Sequence, residues 1–322
     1  LSGVMQLLWL MWACAREGVV LWPRMPRLTP RVKQMLVLIL PAALGQGAIQ
    51  FNLLISTSLA ARYLQQGAVS YLYYADRLNQ LPLGLIGIGV GTAILPALSR
   101  QIGSGNEGAA KETQNRAIEL ALFLSLPAAV ALCVAATPLI RGLLQHGVFT
   151  PADTIGAASA LAVFSLGVPA YVLIKVLTPG FYARQDTKTP VRVALFSMLF
   201  NLVGNLILIW PLGHVGVAAA TAFSAWVNVI ILYWLLHRDD HLQADARLMS
   251  RGARIVVASA VMGVALWFMG PYSDHYMAGS FLTRVIALSL LCGGGALVYA
   301  VAIFGLGAYR LSELKALVSR RK

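Results

Sequence analysis

A chain of 322 residues with 58% hydrophobic and only 11% charged side chains has too little polar surface to coat a water-facing domain, so the bilayer is its natural solvent. The formal charge of +13 does not point to nucleic acid, because the basic residues fall between apolar runs, where they act as topology signals and as contacts to anionic membrane lipids. Cys14, Cys133 and Cys292 lie within apolar runs without a CxxC pair; they support neither a disulfide framework nor a metal site and read as small buried hydrophobes.

The sequence opens inside an apolar run, Leu1 to Ala15, with neither an initiator Met nor a signal peptide. That run is shorter than the ~20 residues a bilayer crossing needs, so it reads as a truncated helix whose upstream part is missing. Eight further apolar segments follow at about 34–61, 68–98, 117–140, 155–182, 190–210, 215–236, 253–271 and 281–306. An all-α integral membrane protein with about nine transmembrane segments is expected. Segment 68–98 is longer than a straight crossing, and Pro82 and Pro96 are expected to bend it, as neighbouring helices allow in membranes. Thr150-Pro151 and Thr189-Pro190 each place a capping hydroxyl before a proline at the first helical position. Gly87-x-x-x-Gly91 and Gly293–Gly295 permit close helix approach. Residues 308–322 form a basic amphipathic pattern suited to the cytoplasmic surface.

The loops give orientation. Five stretches, 16–33, 99–116, 183–192, 237–254 and 307–322, hold all the Lys and Arg except Arg62, Arg141 and Arg284 in the alternate loops and Arg77 and Lys175 within helices. So lopsided a distribution places those five stretches, and the carboxy terminus, in the cytoplasm. It also supports the segment count, since one missed helix would scramble the alternation.

No catalytic constellation is present: there is no Walker loop, HExxH or GxSxG. His146, His214, His237, His241 and His275 are scattered over loops and helix ends. An enzyme is not the leading idea. The informative residues are ionisable groups at membrane depth, which are costly there and mark pathways or wet cavities. Asp76 and Arg77 sit about ten residues into the third segment. They point about 100° apart on a helix and need not pair. Arg77 offers a planar fork for phosphate; the alternative is snorkelling to outer headgroups. Lys175 lies two turns from the cytoplasmic end and can equally snorkel there. Glu119, close to a segment end, reads as interfacial. Asn201, Asn205 and Thr221 read as interhelical hydrogen-bonding residues.

Two strings, YYADRLNQLPLGLIGIGVGTAILPALSR at 73–100 and PGFYARQDTKTPVRVA at 179–194, resemble the MurJ/MviN-type lipid II flippases of the multidrug/oligosaccharidyl-lipid/polysaccharide exporter superfamily. The likeness covers the whole chain. It implies a MATE-like helical bundle in which this chain begins in the sixth of fourteen helices and lacks the first five. Residues 1–33 would then close the amino-terminal lobe and carry the cytoplasmic linker, 34–236 would be the carboxy-terminal six-helix lobe, and 237–322 would hold two extra helices and the basic tail. The implied activity is movement of undecaprenyl-diphosphate-linked peptidoglycan precursor from the inner to the outer leaflet of the bacterial inner membrane by alternating access. The last two helices, in the family, form a groove for the polyprenyl tail.

The resemblance also assigns residues. Arg77 matches a cavity arginine, Asp76 its acidic or amide neighbour and Ser70 a small cavity-lining position; Lys175 stands at the lysine position before the PGF turn. Some members bind sodium at positions matching Ser56, Asn201, Asn205, Val217 and Thr221, with carboxylates where this chain has Ser56 and Asn205. A hard cation needs such charge compensation, so no cofactor is expected, and membrane potential or proton movement stays open as the driver. Cell-wall synthesis or division proteins are the expected protein partners. The alternatives are a polysaccharide-lipid or drug exporter of the same superfamily, a non-transporting membrane scaffold for cell-wall enzymes, and a membrane-embedded transferase. The two strings disfavour the first, Arg77 the second, and the missing catalytic cluster the third.

Overall fold

The computed structural model describes residues 2–18, 29, 30, 33, 54, 56–277 and 279–308. Most of the expected segment 34–61, much of the linker before it and the basic tail after residue 308 lie outside the described residues. The chain divides into two compact units, 1–43 and 44–322. In the first, α1 (Ser2–Arg16) ends with the Arg16 guanidinium 5.0 Å over the Trp12 ring, where a cation also complements the helix dipole.

In the second unit, residues 56–63 are helical. After it come α2 (Ala68–Gly103), α3 (Glu107–Val134), α4 (Ala136–Leu144), α5 (Pro151–Ser165), α6 (Val168–Tyr182), α7 (Lys188–Arg238), α8 (Ala246–Tyr276) and α9 (Phe281–Gly305). There is no strand among the described residues. Among the described residues six spans are long and apolar enough to cross a membrane, α5 and α6 counting as one from Pro151 to Tyr182. As a straight rod the 51 residues of α7 would be roughly 75 Å long, more than two bilayer cores. Instead the chain turns at Gly213, with φ 58 and ψ −133, a conformation open to glycine. Beside it Gly216 approaches so closely that a Cβ would stand 2.1 Å from the Leu208 carbonyl oxygen. The arms of α7 on either side of this turn are the expected segments 190–210 and 215–236.

Helix ends depart from expectation where charge and helicity separate. The expected loop 99–116 shrinks to 104–106, because hydropathy marks where the membrane stops and not where the helix does. Asn106 caps α3 by accepting from the Ala109 amide at 3.0 Å. Thr150 caps α5 as expected, in a capping box with Asp153. Thr189 does not cap α7. That helix starts earlier, and Asp186 Oδ1 takes the Lys188 and Thr189 amides at 3.1 and 3.0 Å.

Hydrocarbon gives no hydrophobic drive between helices, so close packing by small residues holds the bundle. On α5, Ala157 and Ala160 are fully buried, while large apolar side chains such as Trp210, Phe223 and Trp234 on α7 face outward. Gly294 and Gly295 on α9 receive Met269 and Leu266 of α8. α8 and α9 pack on each other and α8 packs on α3. The cysteines are unpaired: Cys14 and Cys133 are half-buried and Cys292 is exposed. The expectation that they are buried is therefore corrected: a small apolar thiol sits as comfortably against lipid as inside the bundle.

Polar contacts gather at the two ends of the bundle. At one end, the basic end, Arg184 pairs with Glu107, Lys111 with Asp240 at 2.9 Å, Asn115 donates to the Gln243 carbonyl at 2.8 Å and Arg254 to that of Gly307 at 2.6 Å. At the other end Tyr71 donates to Asp153 at 2.8 Å and Arg284 to the Gln145 carbonyl at 3.3 Å. Glu119 is a correction. It is not interfacial but buried, 3% exposed, and is held by Arg116 and by Arg251 at 2.7 Å, with Arg247 at 3.6 Å.

Candidate functional site

α2 carries the candidate site. Ser70, Tyr73 and Arg77 recur at three and seven residues and share one helix face, and all three are exposed. Arg77 and Asp76 form no ion pair with each other or elsewhere among the described residues. Gln80 stands between them, donating to Asp76 at 2.5 Å and accepting from Arg77 Nη1 at 3.4 Å. The Arg77 guanidinium also lies 4.9 Å over the Tyr73 ring, a cation–π contact. The cation is thus propped by one amide and one aromatic face, with most of its five donors unspent. Neither Gln80 nor Tyr73 stands out in the sequence; their spacing of three and four residues from Arg77 is the signal that links them to it.

Lys175 is not part of this group. It sits on α6, half-buried, and its ammonium lies against Gly87, roughly 15 Å along α2 from Arg77 at 1.5 Å per residue. Of the two glycines expected to serve helix approach, Gly91 meets the Lys175 backbone, whereas Gly87 faces only the end of the Lys175 side chain.

The five positions matched to a sodium site do come together, as one hydrogen-bonded chain. Asn205 Nδ2 donates to Ser56 Oγ at 2.9 Å and to Asn201 Oδ1 at 3.0 Å. Asn201 Nδ2 donates to Thr221 Oγ1 at 3.2 Å, and that hydroxyl donates to the Val217 carbonyl at 2.8 Å. Asn201 and Asn205 are buried at 1% and 0% exposure. A sodium ion needs oxygen ligands turned towards it and negative charge to compensate its own. Here the set is neutral, its oxygens are engaged apart from Asn205 Oδ1, and the Asn205 amide spends its protons on Ser56 and Asn201. The residues present do not fit a cation.

The described part of the chain is thus a bundle of long apolar helices that carries two cations, Arg77 and Lys175, without ion-pair partners among the described residues. The fold matches that of a MATE family transporter solved in an outward-facing conformation, with a TM-score of 0.53 at 19% identity over 83% of this chain and 62% of that one. It matches a structure of the lipid II flippase MurJ, inward closed, with a TM-score of 0.68 at 26% identity over 87% of this chain and 56% of that one.

The chain belongs to the lipid II flippase MurJ family, whose model matches residues 1–287. A probable lipid II flippase MurJ of Rhizobium meliloti is 42% identical over 99% of this chain and 60% of its own length. One of Vibrio cholerae is 38% identical over 98% of this chain and likewise 60% of its own length. The chain therefore spans about 60% of the length of these relatives. It is a multi-pass protein of the bacterial inner membrane.

Proposed function

We propose that this chain takes part in moving lipid II, the undecaprenyl-diphosphate-linked peptidoglycan precursor, from the inner to the outer leaflet by alternating access. The observation that carries this is Arg77: a cation at membrane depth, without a counter-ion among the described residues, on an exposed helix face with Ser70, Tyr73 and Gln80. A diphosphate carries charge that hydrocarbon repels, and a fixed guanidinium with free donors lowers that cost through bidentate, charge-assisted hydrogen bonds. Asp76, drawn off Arg77 by Gln80, does not neutralise it. Ser70 leaves the same face open and adds a hydroxyl. The basic end of the bundle faces the cytoplasm, as the positive-inside distribution requires, and the polyprenyl tail stays in lipid beside α8 and α9.

The test is rescue, from the complete gene, of cells depleted of their own flippase, scored by precursor exposed on the outer leaflet. Wild type restores exposure. Arg77→Ala does not, and Arg77→Lys restores it only partly, since a point charge replaces a fork. Full rescue by Arg77→Ala would remove the role given to that residue.

A further inference from the structure

Lys175 points the wrong way for a snorkelling lysine. α2 runs towards the basic end, and its Gly91 is level with the Lys175 backbone: a Cβ there would stand 3.4 Å from the Lys175 carbonyl oxygen and 3.5 Å from its Cβ. A Cβ on Gly87, one turn back along α2, would stand 2.8 Å from Lys175 Cδ and 3.0 Å from Nζ. Between Cβ and Nζ the side chain therefore climbs a full turn away from the basic end, in the direction of Arg77. It lies in the slot left by the missing side chain of Gly87. Among the described residues its ammonium has no ion pair or hydrogen bond. An ammonium turned inward at this depth is costly unless something anionic or water meets it.

We propose that Lys175 is a second cationic contact for the phosphate-bearing headgroup and that Gly87 is the residue that aims it, an inference that rests on the flippase function above. The two cations are separated along α2 by roughly 15 Å, too far for one phosphate to touch both. They serve different stages of the passage: Lys175 meets the headgroup nearer the basic end, and Arg77 meets it deeper. Gly87→Ala would place a methyl against Cδ and Nζ. The flexible end of a lysine can move aside, so the variant keeps the helix contact at Gly91 and loses the aim of the ammonium.

The experiment uses the complete protein and a fluorescent polyprenyl-diphosphate probe, with binding measured in detergent and translocation in proteoliposomes. Lys175→Met weakens probe binding about tenfold, the worth of one charge-assisted contact. Gly87→Ala weakens it by a similar factor, and the Lys175→Met, Gly87→Ala double variant is no worse than Lys175→Met alone. If Gly87 mattered only for packing, its substitution would do further harm in the Lys175→Met background, and the aiming role would fall. In a cysteine-free background, Lys175→Cys loses binding, and aminoethylation of the new thiol, which rebuilds a lysine-like ammonium, restores it. Wild-type binding by Lys175→Met, with Arg77→Ala still impaired, would overturn this proposal and leave the flippase function standing. Wild-type binding by both would sink the two together.

Discussion

Removing the Glu119 carboxylate takes a buried counter-charge from two arginines, Arg251 and Arg116. Its side chain is 4% exposed, and those of Arg251 and Arg116 are 14% and 25% exposed. Arg247, at 3.6 Å and 49% exposed, is screened by water and adds little. Breaking a buried ion pair by deleting one partner costs ~3–5 kcal/mol. The lower end applies, because Arg116 keeps its pairing with Asp245. For Glu119→Gln we expect a loss of about 3 kcal/mol, or roughly 6 °C in melting midpoint for a chain of this size. The assay is thermal unfolding of the purified complete protein in detergent. Glu119→Gln combined with Arg251→Met should recover part of the loss, since the buried guanidinium that faced the carboxylate is removed along with it. A midpoint for Glu119→Gln within about 1 °C of wild type, the range of a surface pair, would refute the burial argument for this network.

Sodium should leave the wild-type melting curve where potassium leaves it, because the cluster is neutral and the Ser56 and Asn201 oxygens already accept from Asn205; Ser56→Asp with Asn205→Asp should create a sodium-dependent rise, up to about 2.7 kcal/mol at a hundredfold excess over Kd. A sodium effect in wild type would overturn the neutral cluster. His241, in the connection between α7 and α8, is held below its usual 6.5 by burial and then by the charge of Arg184. A folded pKa below the unfolded one favours the neutral imidazole, so its contribution is complete above pH 6.5 and is lost as pH falls through the folded value. Hydrogen exchange across 239–245, corrected for intrinsic rates, should therefore rise on acidification from pH 7.5 to 5, and His241→Gln should flatten that rise. Equal slopes in both proteins would rule the imidazole out.

What could be read from residues alone was what depends on nearest neighbours along the chain. Apolar runs locate the spans, and Arg77 stands out because a guanidinium amid apolar residues is expensive wherever the helix turns. The two arms of α7 were legible as separate segments, since Pro211 and Gly213 interrupt the run. The burial of Glu119 is hidden in the sequence because its place near a hydropathy edge speaks only of its own helix, while Arg251 arrives from 132 residues away. The direction of Lys175 was likewise hidden: whether a lysine bends outward or inward is settled by the neighbouring helix, and here by the absence of one side chain at Gly87. Gln80 shows a third kind of blindness, a neutral amide whose importance lies in keeping two charges apart.

The turn at Gly213 has a mechanical consequence. With no intervening loop, the arms of α7 meet at a single residue, and Asn201 on one arm is tied to Thr221 on the other. Neither arm can slip along the membrane normal while its twin stays put, so together they behave as a stiff hairpin lever. Any rocking of the bundle that displaces one arm must swing both.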